Sequence, residues 1–173
     1  MPTSALKINL MANEVDLEVQ YAVHEAGLTS RQGVPTQHEF HGWVVAALPA
    51  GNHSVEMVIR VVDEQESRQL NSRYRGKDKP TNVLSFPFAA PAGVDSNHLG
   101  DLVICAPVVK REAGQQQKKD IDHWAHMVVH GVLHLRGLDH QTEEQAREME
   151  ELEKQILAGF GIQDPYRPKD VSM

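Results

Sequence analysis

Three histidines between residues 130 and 140 form the part of the chain best suited to chemistry, because their spacing brings imidazoles together. His130 and His134 stand four residues apart in a helical pattern, so they share one helix face. Gly137 can adopt the left-handed backbone that ends a helix, and His140 follows that turn. Three neutral imidazoles with an open fourth position are typical of a catalytic zinc site, with metal–nitrogen distances of about 2.0–2.1 Å.

The same spacing of histidines and glycine occurs in the long zinc motif of metzincin proteases. Those proteases carry a glutamate general base directly after the first histidine, and here that position is Gly131. A bound metal would still lower the pKa of its water from about 16 towards 7. Asp139, beside His140, is either a replacement base or a carboxylate that orients an imidazole. A metalloprotease-like hydrolase therefore stays open as an alternative.

Two further histidines lie earlier in the same predicted helix. His126 is four residues before His130, on the same face. However, His126 and His134 are separated by roughly 12 Å along a helix, which is too far for one ion to bind both. We expect His126 to orient a ligand or to pack in the core. We expect His123 to lie on the surface near the start of the helix.

A basic segment before the third predicted strand is suited to binding an anionic substrate. Arg73, Arg75, Lys77 and Lys79 are accompanied there by a single acid, Asp78. Arginine offers a planar fork of donors that matches phosphate oxygens, and lysine adds point charges. A metal-activated water attacking a phosphodiester beside an arginine clamp is chemically reasonable. The alternative is an ordinary solvated loop. Asn82 and Ser85 follow this segment. These polar residues either line the same cleft or have only structural roles.

Length and composition are those of one globular domain. The chain has 173 residues, of which 40% are hydrophobic and 24% are charged. A net charge of −7 argues against simple electrostatic adhesion to nucleic acid or to an anionic membrane. Cys105 is the only cysteine, which excludes an intramolecular disulfide and a thiolate metal cluster. No stretch reads as a signal peptide or a membrane span, so we expect a cytoplasmic protein without membrane contact.

Hydrophobic periodicity predicts an α+β domain in which a small four-stranded sheet carries packed helices. The predicted strands lie within 5–23 and near 54–62, 83–88 and 99–105. Pro87 either makes the third of them an edge strand or marks its end. The histidine helix is apolar on more than one face, which places it centrally. Thr142 caps a last helix over 143–158, whose six glutamates we interpret as a solvated face without chemistry. Residues 164–173 are predicted to be a tail.

Three motifs of this chain resemble those of the YbeY endoribonucleases, which are bacterial factors of ribosomal RNA maturation. The motifs are YRGKDKPTNVLSFP at 74–87, LGD at 99–101 and HGVLHLRGLDH at 130–140. The resemblance covers about residues 55–166 and is weak over the first fifty residues. Leu138 stands where the family commonly has tyrosine, which leaves the histidines untouched.

The resemblance implies one metal ion, usually zinc, held by His130, His134 and His140. It also implies cleavage of single-stranded RNA, maturation of the small-subunit ribosomal RNA at its 3′ end, and ribosome quality control. The arginine that the family treats as functional matches Arg75, and we expect Lys77 and Lys79 to bind the substrate. Ribosomal RNA, and the small ribosomal subunit or its proteins, are then the expected partners. A non-catalytic ribosome-assembly factor with a structural metal is a further alternative.

Overall fold

A four-stranded mixed sheet forms the centre of the fold. The computed structural model describes residues 13–23, 33–51 and 54–167. The strands are β1 (Glu14–Ala22), β2 (Ser54–Val62), β3 (Val83–Pro87) and β4 (His98–Cys105). Their order across the sheet is β1-β2-β4-β3. β1 and β4 run parallel to β2, whereas β3 runs antiparallel to β4 and lies at the edge of the sheet. The predicted edge position of the third strand is thus confirmed.

Within the described residues, five helices pack around this sheet. They are α1 (Gln37–Ala47), α2 (Glu64–Arg75), α3 (Ala106–Gln115), α4 (Asp120–Leu135) and α5 (Glu143–Ala158). Thr36 and Thr142 close capping boxes at the starts of α1 and α5, and the Asp63 side chain accepts from the Glu66 backbone at the start of α2. None of these helices combines the length and the apolar surface that a membrane span requires.

Each face of the sheet has its own apolar cluster. The larger cluster joins α1, α4 and α5 to one face and includes Phe40, Trp124 and Leu133. The smaller cluster joins the other face to α2 and α3 and includes Leu84 and Val108. Helix α4 is buried along most of its length, as its apolar pattern predicts. The predicted α+β architecture, with the histidine helix placed centrally, is therefore confirmed.

The predicted boundaries agree closely with the structure, with small differences. Asp120 could cap the histidine helix by its residue type, but Lys119 occupies the cap position of α4 and Asp120 is the first helical residue. The first half of the strand expected within 5–23 falls on residues 5–12, which lie outside the described part of the chain. Of the segment expected to be a tail, residues 164–167 are described, and Tyr166 makes side-chain contacts that are given below.

Gly100 allows β3 and α4 to approach β4 closely. Its φ of +147° is a conformation that other L-residues rarely adopt. A Cβ atom at this position would lie 2.4 Å from the Phe86 carbonyl oxygen and 2.8 Å from Leu135 Cδ2. A side chain at residue 100 would therefore push apart the edge strand and the end of the histidine helix.

We predict that Gly100→Ala lowers the free energy of unfolding by at least about 1–3 kcal/mol, measured by urea denaturation. Gly114→Ala is the matched control. Gly114 lies in α3, and a Cβ atom there meets nothing within 4 Å. That control should be neutral or more stable by up to about 1 kcal/mol, because alanine favours helix. Equal stability of wild type and Gly100→Ala would contradict the packing described here.

Candidate active site

The end of α4 turns His140 back towards the other two histidines. The Leu138 amide donates to the Leu133 carbonyl at 3.1 Å, and the Gly137 amide donates to the His134 carbonyl at 2.9 Å. Gly137 has φ +94°. These bonds and this left-handed glycine define a Schellman motif, which reverses the chain within two residues. The local sequence thus positions all three side chains, as predicted.

His130, His134 and His140 form a cluster whose donor nitrogens all lie within 4.8 Å of one another. The Nε2 atoms of His130 and His134 are 3.1 Å apart, and the ring of His140 lies 5.0 Å from that of His134. Two nitrogens bound to one tetrahedral ion at about 2.0–2.1 Å lie roughly 3.3 Å apart. The observed spacing fits a shared metal ion, so this cluster could hold one.

Burial favours the form of His134 that a metal requires. Loss of solvent lowers the pKa of His134, and the neighbouring His130 and His140 lower it further. A neutral imidazole has a free nitrogen lone pair, whereas a protonated one has none. His134 therefore favours metal binding over protonation.

Glu153 of α5 orients His130 from behind. It is completely buried, and its Oε1 lies 2.5 Å from His130 Nδ1. A carboxylate at Nδ1 retains the proton on that nitrogen, so that Nε2 faces His134 with its lone pair available. Burial would raise the pKa of Glu153, but hydrogen bonds from His126 and His130 outweigh it and lower the pKa to about 2. The carboxylate is thus a permanent anion.

His126 and Tyr166 complete the surroundings of this carboxylate. His126 Nε2 lies 3.1 Å from Glu153 Oε2, and the Tyr166 hydroxyl donates a short hydrogen bond to the same oxygen. Burial and the adjacent anion raise the pKa of Tyr166, which keeps the hydroxyl protonated and able to donate. His126, His130 and Glu153 also lie close enough to form a second group of donor atoms. Their mutual hydrogen bonds agree with the orienting role that we expected for His126.

The interpretation of the six α5 glutamates as a solvated face is wrong for Glu153. Five of the six are exposed or partly exposed, but Glu153 is buried and faces α4. Its position in the sequence offers a signal, because Met149, Glu153 and Leu157 are spaced four apart and share the buried stripe. A glutamate within an apolar stripe indicates a buried partner, and here that partner is His130.

The expectation that His123 lies on the surface is also wrong. Its side chain is 2% exposed, and its Nε2 lies 2.9 Å from Glu112 Oε1 on α3. The Asn82 amide donates to the same carboxylate at 3.1 Å. Asn82, Glu112, His123 and His130 line one cavity of about 340 Å³. The end of the basic segment is therefore tied to the histidine helix.

The basic segment lies on the surface, from the last turn of α2 to the residues before β3. Arg68 donates two hydrogen bonds to Asp78, at 2.7 and 2.9 Å. The single acid of the segment is therefore already paired. The other cations of the segment are exposed, and the ion pairs of the described residues do not include them: Arg73, Arg75, Lys77 and Lys79. No hydrogen bond among the described residues joins these cations to the histidine cluster. Asn82 donates to Glu112, which also bonds to His123 of the histidine helix.

Asp139 and Ser85 have mainly backbone partners. Asp139 Oδ1 accepts from the His140 amide at 2.7 Å and lies 4.0 Å from His140 Nδ1. Its position therefore supports the turn and orients His140 more than it places a base. The Ser85 hydroxyl donates to the Gly131 carbonyl at 3.5 Å, which brings β3 against the histidine helix.

Gly131 faces the sheet and not the histidine cluster. A Cβ atom there would lie 2.7 and 2.9 Å from the two methyl carbons of Leu102 on β4. A glutamate at this position would meet the apolar core in this packing. The general base of the metzincin proteases is therefore absent, and the local packing offers no room for it.

Fold and site together define an α+β protein with a three-imidazole cluster that could hold a metal ion and with an exposed basic segment, features that a metal-dependent hydrolase of an anionic substrate combines. The family model described as Endoribonuclease YbeY matches residues 31–161. Endoribonuclease YbeY of Alkalilimnicola ehrlichii is 58% identical over 160 residues, which cover 90% of this chain and 93% of that protein. The solution structure of TM1509 from Thermotoga maritima is 22% identical, with a TM-score of 0.48, and covers 90% of this chain and 99% of that one.

The chain belongs to the endoribonuclease YbeY family. It is accordingly a hydrolase of RNA phosphodiester bonds, which confirms the class of enzyme predicted from its motifs. The metalloprotease alternative is not supported, in agreement with the packing of Gly131 against Leu102.

We predict that Glu153→Gln weakens metal binding about 10- to 100-fold, because an amide does not hold the Nδ1 proton of His130 as a carboxylate does. The measurement is competition for Zn²⁺ against a chromophoric chelator at constant pH. Glu148→Gln, at an exposed position of the same helix, should bind as wild type does. Unchanged affinity in Glu153→Gln, with the fold verified by circular dichroism, would show that Glu153 does not orient a ligand.

Proposed function

We propose that the protein binds one divalent transition metal ion, Zn²⁺, through His130, His134 and His140. We propose further that it cleaves single-stranded RNA in the maturation of the small-subunit ribosomal RNA at its 3′ end and in ribosome quality control. The whole chain, 1–173, then acts as one hydrolase domain in the cytoplasm. Its partners are ribosomal RNA and the small ribosomal subunit or its proteins.

The observation that carries this proposal is the spacing of three donor nitrogens within 4.8 Å of one another. Glu153 contacts His130 at Nδ1 and so leaves the Nε2 side of the cluster to the metal and the substrate. When bound, the ion supplies a Lewis acid and an acidified water. A site with three protein ligands retains a position for water or substrate, whereas a structural zinc site typically has four. This argues against the non-catalytic assembly factor.

The chain's own residues have three tasks in this proposal. The histidines and Glu153 orient the metal-binding nitrogens. Arg75 donates to the phosphate oxygens on which negative charge develops, and Lys77 and Lys79 bind neighbouring phosphates. The bond between Asn82 and Glu112 holds the end of the basic segment beside the cavity that His130 also lines. Arg75 thus acts on the substrate without contributing to metal binding.

An acidic protein can bind RNA through a local positive surface. The net charge of the chain is −7, but Arg68 pairs with the only acid of the basic segment and leaves four exposed cations around it. Few phosphates are contacted by so small a surface. The affinity for single-stranded RNA should therefore fall with salt along a shallow slope of about −0.7 per phosphate contact.

We predict that Arg75→Glu retains the metal content of wild type and cleaves a defined single-stranded RNA at least about 100-fold more slowly, because it replaces a phosphate donor with an anion. His134→Ala should instead lose the metal. Metal content is measured by elemental analysis, and cleavage by gel electrophoresis under single-turnover conditions.

Arg147→Glu provides the matched charge reversal, since Arg147 is an exposed residue of α5. It should retain both metal and activity, and the comparison also detects contaminating nuclease. Cleavage by Arg75→Glu at the wild-type rate would refute the role of Arg75. Purified protein that binds no transition metal would refute the metal site.

A further inference from the structure

Three aromatic side chains lie beside the basic segment and have no role in the site described so far. They are Tyr74, Phe86 and Phe88, which we call the aromatic row. Tyr74 is 56% exposed and Phe88 is 47% exposed. Tyr74 stands edge-on to Phe86, with ring centroids 5.1 Å apart and an interplanar angle of 72°. Large aromatic rings held at the surface indicate a contact surface for a partner.

The charges around the aromatic row favour a nucleic acid as that partner. The Arg73 guanidinium lies over the Tyr74 ring, 5.4 Å from its centroid. Arg75 and Lys77 follow in the same turn and are exposed. Aromatic rings interleaved with cations are how proteins bind single-stranded nucleic acid, because bases stack on the rings while the cations contact phosphates. A protein partner would explain the rings but not the group of cations.

Edge strand β3 connects the aromatic row to the histidine cluster. Side chains alternate along a strand, so Ser85 and Phe86 point to opposite faces of the sheet. Ser85 contacts the carbonyl of Gly131, the residue after His130, whereas Phe86 packs with the cluster on the α2 side. The metal-binding side chains and the aromatic row thus lie on the two sides of one strand. A single RNA strand that crosses this edge meets both.

The second half of the row lies where β3 meets the start of β4. Phe88 stands edge-on to His98, with ring centroids 5.1 Å apart, and its amide donates to the Leu99 carbonyl. Phe88 lies two residues after Phe86, just beyond the end of β3. Tyr74 and Phe86 pack together, and Phe88 lies further along the chain, so the row offers more than one ring to unpaired bases.

We propose that the aromatic row is a stacking surface for unpaired bases of single-stranded RNA that flank the scissile phosphate. This inference rests on the proposed function. It gives a physical reason for cleaving single-stranded rather than double-stranded RNA. In duplex RNA the base faces are already stacked on one another, so only a single strand can use these rings. Tyr74 is then a substrate-binding residue that stacks on the exposed face of a base and does not select a particular sequence.

The test is single-turnover cleavage of a single-stranded RNA over a range of enzyme concentrations, with the metal-loaded protein. Tyr74→Ala should raise the enzyme concentration for half-maximal rate by roughly 5- to 100-fold, which corresponds to the loss of one stacked base. Metal content and the maximal rate should stay near those of wild type. Tyr74→Trp should behave as wild type does, and Tyr74→Leu should behave as the alanine variant does, because a ring is required and not merely apolar bulk.

Two controls separate stacking from other effects. Phe160→Ala removes an aromatic ring that is 44% exposed outside the row, and it should leave the half-maximal concentration unchanged. RNA with abasic nucleotides on both sides of the cleavage site should bind wild type and Tyr74→Ala equally, since it offers no base to stack. Phe88→Ala should show the same pattern as Tyr74→Ala.

The outcomes distinguish this inference from the function on which it rests. If wild type cleaves RNA and Tyr74→Ala has the same half-maximal concentration, the stacking surface is refuted and the ribonuclease stands. The same holds if abasic RNA is as sensitive to Tyr74→Ala as normal RNA. If metal-loaded wild type neither binds nor cleaves single-stranded RNA, the proposed function fails and the stacking surface fails with it.

Discussion

The hydrogen bond between Glu153 and His130, with 2.5 Å between Oε1 and Nδ1, is the interaction on which the site depends. It joins α5 to α4 in a completely buried position, where an unpaired carboxylate would be costly. Three hydrogen-bond donors surround this anion, and their bonds offset the cost of burying its charge. The same bond favours the tautomer in which Nε2 of His130, a metal ligand in our proposal, carries a lone pair. One contact therefore stabilises the packing of α5 on α4 and orients a histidine that we propose to bind the metal.

A second set of hydrogen bonds holds the segment that we propose to bind the substrate. His123, Glu112 and Asn82 connect α4, α3 and the start of β3 in one hydrogen-bonded chain. It fixes the end of the basic segment, whose cations remain exposed. Both contacts involve histidines of α4. His130 is a metal ligand in our proposal, whereas His123 is not. One face of this helix thus positions the metal through Glu153 and the phosphate-binding segment through Glu112.

The sequence predicts most of the fold because the relevant patterns are local. The β-branched run of β2, the Thr142 capping box and Gly137 at the end of α4 each signal their structure within a few residues. The three clustered histidines are predicted for the same reason. The errors at His123 and Glu153 concern pairs between helices. Whether such a charged side chain is solvated depends on a distant partner, which periodicity along one helix does not reveal.

The closeness in sequence of His130, His134 and His140 affects how the protein folds. The three residues span eleven positions, so bringing them together costs little loop-closure entropy. The donor set needs only α4 and its Schellman turn. The contacts of Glu153 and Asn82 span longer sequence separations. In our proposal, the three histidines can therefore bind the metal without support from distant parts of the chain, and the bound ion then favours completion of the fold by mass action.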